Sequence, residues 1–90
     1  MPTAVVLLNV KGQETTRIAE SIASLAGVTE VYSVAGNYDL VAIVRVEANE
    51  ALADLVTDRI RAIPGILASQ TLIAFRAYSP SEVNAMFDID

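Results

Sequence analysis

The stretch from Val34 to Leu40 (VAGNYDL) carries the densest set of groups in this chain that could contact a small molecule. Gly36 and Asn37 tolerate positive φ, which a tight reversal often needs. A bare reversal requires neither the aromatic ring of Tyr38 nor the carboxylate of Asp39. A loop that offers backbone N–H groups, a ring and a carboxylate on a rigid scaffold can form a small-molecule site. We therefore expect binding chemistry at this turn.

A second polar segment, Ser69-Gln70-Thr71, enters the last predicted strand. Its hydroxyl and amide groups supply hydrogen-bond donors and acceptors. The alternative interpretation is the ordinary polarity of a loop. The segment supports a binding site only if it lies beside the Gly36 turn in space. We expect the two segments to meet only across a subunit contact.

Acid–base catalysis would need paired ionisable groups, and the best acidic pair is Asp54 and Asp58, with Glu50 in line. Like charges four residues apart slightly oppose a helix, and an exposed helix face usually carries charge. The chain has no His and no Cys, which removes the usual general base and the usual transition-metal ligands. The sequence therefore predicts no catalytic residue, no metal site and no cofactor.

Arg45 and Arg76 lie inside predicted strands. Each could clamp the carboxylate of a ligand. Each could instead form an intersubunit or edge ion pair, and we favour this second interpretation because Arg is enriched at protein interfaces.

The composition indicates an oligomer rather than a nucleic-acid or membrane protein. Of 90 residues, 53% are hydrophobic, which is more apolar material than a small monomer easily buries. The net charge is −5 and no basic run exists, so direct contact with nucleic acid is not expected. Neither a signal segment nor a membrane-spanning run is visible, and we expect a cytoplasmic protein.

The hydrophobic periodicity predicts four strands and two helices in the order βαββαβ. Asn49 is the predicted N-cap of the second helix, and Pro64-Gly65 ends it. A short C-terminal helix from Ser79, opened by a capping box, is as well supported as a frayed tail. The predicted strands and helices are, in order, 3–10 (strand), 14–26 (helix), 28–34 (strand), 40–47 (strand), 49–63 (helix) and 66–78 (strand, strongest over 71–78).

This order predicts an α+β, ferredoxin-like fold, with a four-stranded antiparallel sheet and both helices on one face. The strands at Val5-Val6-Leu7-Leu8 and Leu40 to Val44 are apolar on both sides. The face without helices therefore needs cover, and Arg45 shares it with Val41 and Ile43. We expect this face to pack on the same face of a second subunit in a twofold dimer.

The segment Gly36-Asn37-Tyr38-Asp39-Leu40, the strand after it, the Ile63-Pro64-Gly65-Ile66 step and Thr71-Leu72-Ile73 resemble the effector domain of the Lrp/AsnC family of transcriptional regulators. This domain is also called RAM, for regulation of amino-acid metabolism. Ala26-Gly27-Val28 fits as well, although the family usually has proline where Ala26 stands. The resemblance spans about residues 3–78. It makes residues 1–78 the effector domain and residues 79–90 a tail or short helix.

The resemblance implies dimers joined through their sheets, in a dimeric α/β-barrel-type arrangement, and often rings of dimers. It also implies an amino-acid effector held at the contact between dimers. One side of that site would be Gly36, Asn37, Tyr38, Asp39 and Leu40. The candidates for the other side are Ser69, Gln70 and Thr71.

Within this resemblance, Asp39 would accept hydrogen bonds from an α-ammonium group, and Thr71 and turn N–H groups would bind the α-carboxylate. Full-length members carry an N-terminal helix-turn-helix domain, whereas this chain begins at the effector domain. The resemblance thus implies a stand-alone effector domain that modulates its own assembly or a full-length regulator. Two alternatives are a small cofactor-free enzyme of the dimeric α/β-barrel class and a ligand-independent assembly subunit.

Overall fold

The computed structural model describes residues 1–80. The strands and helices confirm the predicted βαββαβ order. A 3₁₀ turn (Gly12–Glu14) precedes the first helix, and a π-helical segment (Asp54–Ile60) continues the second. The remaining elements are β1 (Thr3–Val10), α1 (Thr15–Ala23), β2 (Val28–Ser33), β3 (Leu40–Arg45), α2 (Asn49–Ala53) and β4 (Ile66–Ala74).

The described strands form one antiparallel sheet in the order β2-β3-β1-β4, so β1 and β3 are central and β4 is an edge. Thr3 lies between Arg45 of β3 and Ala74 of β4, which fixes the register at one end of the sheet. The predicted ferredoxin-like sheet is thereby confirmed.

The core lies on one face of the sheet only. Alternate residues of β1, namely Ala4, Val6 and Leu8, are fully buried beneath the helices. The helices contribute a matching apolar stripe that includes Ile18, Ile22, Leu52, Leu55 and Ile60. We call the opposite, helix-free side the open face. It carries Val5 and Leu7 of β1 and, by register, Val41 and Ile43 of β3.

The step at Pro64-Gly65 holds α1 against the sheet. Gly65 has φ +101, and a Cβ there would stand 2.7 Å from Ile18 Cδ1. Arg17 Nη2 donates to Pro64 O at 2.9 Å and pairs with Glu14 Oε1 at 2.5 Å. Because a side chain at residue 65 would be strained and would clash with α1, glycine is required there.

Several predicted boundaries differ from the structure. The N-cap position of α2 is Ala48, without a side-chain cap, and Asn49 is already helical, so that prediction was wrong. The last strand spans Ile66–Ala74, so it includes all of 66–70 but only the first half of the segment 71–78 that was predicted as its strongest part. Residues 81–90 hold most of the predicted C-terminal helix, and they lie outside the described residues.

Candidate functional site

The turn after β2 has the tight geometry that its residues predict. Val34 N donates to Asp39 O at 3.0 Å, which closes the loop. Gly36 has φ +126, whereas no non-glycine residue in 1–80 has positive φ, so Asn37 does not use its tolerance. Gly36 and Asn37 are exposed, and Tyr38 and Asp39 are half-buried. The turn thus presents exposed backbone at its tip and side chains at its base.

Three hydrogen bonds fix this turn to the end of β1. Asp39 N donates to Leu8 O at 2.9 Å. Val10 N donates to Asp39 Oδ2 at 2.9 Å, and Asn9 Nδ2 donates to Asn37 O at 3.0 Å. The turn is therefore a rigid extension of a central strand and not a loose reversal.

Through these bonds Asp39 holds the turn to β1, a role that the sequence did not predict. Its Oδ2 accepts from the Val10 backbone N–H, and the carboxylate keeps further lone pairs, including those of Oδ1, that could accept from a ligand. Asn9 is the residue that sequence reasoning missed. Its signal was a single amide side chain inside the apolar run TAVVLLNV.

Tyr38 joins the turn to the edge strand. Its hydroxyl donates to Gln70 Oε1 at 2.5 Å. Gln70 lies opposite Leu7 in the β1–β4 ladder, and so belongs to the open face. The expectation that the turn and the Ser69–Thr71 segment meet only across a subunit contact was wrong, because Tyr38 reaches over β1 to Gln70 within one chain.

The other members of the predicted site point elsewhere. Ser69 and Thr71 lie opposite Leu8 and Val6, on the helix-covered face, because side chains alternate along a strand. Thr71 lines a groove of about 340 Å³ between α2 and β4. Leu40 is fully buried in the core. Of the predicted second side, only Gln70 joins the turn.

The acidic residues that the sequence analysis weighed for acid–base catalysis are all exposed, in keeping with a charged outer helix face: Glu50, Asp54 and Asp58. Within residues 1–80 no group of three or more His, Cys, Asp or Glu residues could hold a metal ion. In the same part of the chain, none of the helices has the length and apolar character needed to cross a membrane.

Tyr32 and Glu30 form a second polar pair, on β2 at the margin of the open face. The Tyr32 hydroxyl donates to Glu30 Oε2. This hydrogen bond is the main cause that raises the pKa of Tyr32 above its usual value, and desolvation and the charge of Glu30 add to it. The carboxylate of Glu30 is thereby directed at its own strand neighbour.

The open face and the edge strand leave large apolar side chains in water. Leu72, on the open face, is 47% exposed, and Ile73, next to it on β4, is 59% exposed. From Ala62 to Phe75 the chain has no charged residue, so the β4 edge lacks the charges that usually guard an edge strand. An uncharged edge beside an apolar face is typical of a surface that another chain covers.

These features define a ferredoxin-like domain with a rigid polar turn at one end of its sheet and an uncovered apolar face. A family model described as the Lrp/AsnC ligand binding domain matches residues 3–83. The chain belongs to this family of transcriptional-regulator domains.

The chain is similar to proteins from archaea and bacteria. It is 31% identical over 75 residues to the HTH-type transcriptional regulator FL11 of Pyrococcus horikoshii, a match that covers 83% of this chain and 49% of that protein. The crystal structure of TTHA0845 from Thermus thermophilus is 48% identical, with a TM-score of 0.83 over 88% of this chain and 99% of that one.

A third similar protein is the feast or famine regulatory protein Rv3291c of M. tuberculosis, whose structure is a complex with L-methionine. It is 27% identical, with a TM-score of 0.73 over 89% of this chain and 54% of that one. The chain spans about half or less of the length of the curated relatives that it matches.

Proposed function

We propose that this chain binds an amino acid or a similar small effector at the Gly36–Asp39 turn, and that binding modulates the assembly of a homo-oligomer or the action of a partner regulator. The observation that carries the proposal is the rigid turn with its bridge from Tyr38 to Gln70. A preformed polar site loses little entropy when a ligand binds.

The turn has the groups that an amino acid requires. Gly36 and Asn37 are exposed at its tip, and their N–H groups could bind an α-carboxylate. The second oxygen of Asp39 could accept from an α-ammonium group, and the ring of Tyr38 could contact the side chain. The similar M. tuberculosis protein was crystallised with L-methionine, which supports an amino-acid effector.

The assembly part of the proposal rests on the open face. Val5, Leu7, Val41 and Ile43 are only half-buried in the single chain, although their residue types are those of a core. Packing two open faces together in a twofold dimer would remove this surface from water. Because the turn lies at the end of the sheet, rings of such dimers could bring it against a neighbouring dimer.

The proposed role is regulation without catalysis and without direct contact with nucleic acid. The curated relatives are HTH-type transcriptional regulators, and the net charge of −5 disfavours a phosphate backbone. A full-length family member is the partner regulator that we propose.

Calorimetric titration with each of the twenty amino acids tests the effector site. We expect at least one to bind, and Gln70→Ala to weaken that binding at least fivefold. Gln13→Ala, which removes an exposed amide on the 3₁₀ turn, is the matched control and should have no effect.

If none of the twenty amino acids binds, the effector proposal is wrong. If the chain still assembles with itself or with a regulator under those conditions, it is the ligand-independent assembly subunit.

A further inference from the structure

Asn9 is the only polar residue between Ala4 and Val10, in an otherwise apolar run of β1. Asparagine is depleted in strands, whose surfaces favour branched and aromatic side chains. The amide of Asn9 is engaged outside the sheet, because its Nδ2 donates to Asn37 O at 3.0 Å. Asn9 therefore contacts the tip of the turn from the end of a central strand.

This bond differs from the other two that fix the turn to β1. Asp39 N donates to Leu8 O, and Asp39 Oδ2 accepts from Val10 N, so both of those bonds act at the base of the turn. The bond from Asn9 is the one that acts at the exposed tip. The base bonds hold the turn on the sheet, whereas Asn9 fixes the orientation of one peptide group.

The peptide group that Asn9 orients joins Asn37 to Tyr38. This peptide is trans, so its carbonyl and its N–H point in opposite directions. Because Asn9 binds the carbonyl, the N–H of Tyr38 points away from Asn9. Within residues 1–80 this N–H has no hydrogen-bond partner, and its donor capacity remains for a ligand.

We propose that Asn9 is a positioning residue of the effector site, whose amide holds the Asn37–Tyr38 peptide so that the Tyr38 N–H donates to the α-carboxylate of an amino acid. This inference rests on the proposed function, because it needs an effector at the turn. Asn9 itself does not touch the effector. Its bond lies within one chain, so the role requires no exposed surface around Asn9. A donor that is fixed before the ligand arrives loses little entropy on binding.

Asn9→Ala removes this bond and leaves every group that contacts the effector in place. Calorimetric titration with each of the twenty amino acids compares the variant with the unaltered chain. We expect the variant to bind about tenfold more weakly, which corresponds to one charge-assisted hydrogen bond. Asn9→Gln keeps an amide donor and should bind more tightly than Asn9→Ala. Asn49→Ala, which removes an exposed asparagine at the start of α2, is the matched control and should have no effect.

The carboxamide of the amino acid that binds separates positioning from a general loss of structure. It lacks the anionic acceptor, so the charge-assisted part of the hydrogen bond from Tyr38 is absent. We therefore expect Asn9→Ala to weaken binding of the carboxamide by less than about threefold. A variant that only loosened the domain would weaken both ligands equally.

Nuclear magnetic resonance relaxation measures the held peptide without a ligand. The backbone order parameter of Tyr38 should be about 0.85 in the unaltered chain and below about 0.6 in Asn9→Ala, the usual values for rigid and flexible backbone. The order parameters of β1 and β3 should not change, which reports an intact sheet.

Three results would overturn the inference: normal amino-acid binding by Asn9→Ala, equal losses for the amino acid and its carboxamide, or an unchanged order parameter at Tyr38. Each of them leaves the proposed function standing, because the unaltered chain still binds an effector. If none of the twenty amino acids binds the unaltered chain, the proposed function is wrong and this inference is wrong with it.

Discussion

The two faces of the sheet are built from the same residue types but differ in what covers them. On β1, Val6 and Leu8 are fully buried beneath the helices, whereas Val5 and Leu7 are only half-buried on the open face. A single chain thus buries the apolar side chains of one sheet face and leaves those of the other face partly exposed to solvent. The helix-covered face forms the core of the single chain, and the open face is the surface that we propose for assembly.

The largest expected effect comes from truncating the helix-covered face. Leu8→Ala removes a fully buried side chain, and we expect it to lower the free energy of unfolding by about 2 to 5 kcal/mol. Urea denaturation measures this loss. Leu7→Ala, one residue away on the open face, is the matched control and should cost markedly less at protein concentrations that favour the single chain.

Equal losses for Leu7→Ala and Leu8→Ala at low concentration would break the distinction between the faces. They would mean that the open face contributes to the core of a single chain.

The next effect concerns assembly. Leu7→Lys places a charge in the centre of the open face, where a second open face would have to desolvate it. We expect the oligomer to dissociate while the secondary structure is retained. Sedimentation velocity and circular dichroism measure the two results, and an unchanged sedimentation coefficient would remove the open face from the interface.

A smaller effect comes from the turn. Asp39→Ala leaves the half-buried Val10 N–H without its acceptor and should lower the free energy of unfolding by about 1 to 3 kcal/mol. Asp39→Asn keeps an acceptor oxygen and should retain most of the stability. If both variants lowered the free energy of unfolding equally, the charge of Asp39, and not this hydrogen bond, would stabilise the turn.

The smallest effect is the pH dependence of Tyr32. Its pKa is raised because the neutral hydroxyl donates to Glu30, so the stabilisation is present below pH 10.0, the ordinary pKa. It is lost as the pH rises through the higher folded-state pKa. Ultraviolet titration should show that Glu30→Ala lowers the pH at which Tyr32 ionises. A titration curve that Glu30→Ala leaves unchanged would contradict the Tyr32–Glu30 contact.

The sequence predicts the fold well because each element has its own local signal. The apolar β-rich run of β1, the helical spacing of Ile18 and Ile22, and the stop at Gly65 are all visible within short windows of the sequence. The sequence did not predict that α2 is capped at Ala48 and not at Asn49, nor that it continues as a π-helical segment. Tertiary packing decides where a helix begins and how it winds.

Only the local part of the candidate site, the turn itself, could be predicted from the sequence. The turn is local, and the positive φ of Gly36 follows from its residue type. The contacts of Asp39 with Val10 and of Tyr38 with Gln70 join positions about thirty residues apart, so they require the sheet register. The same register separates Ser69 and Thr71 from Gln70, although they are neighbours in sequence.

The central claim is that the open face assembles the protein and that the turn lets an amino acid control the assembly. Native mass spectrometry of the full chain, with and without a mixture of the twenty amino acids, tests it most directly. We predict a dimer or a multiple of dimers whose size distribution shifts when the mixture is added. A monomer at micromolar concentration whose mass distribution does not change when the amino acids are added would contradict this claim.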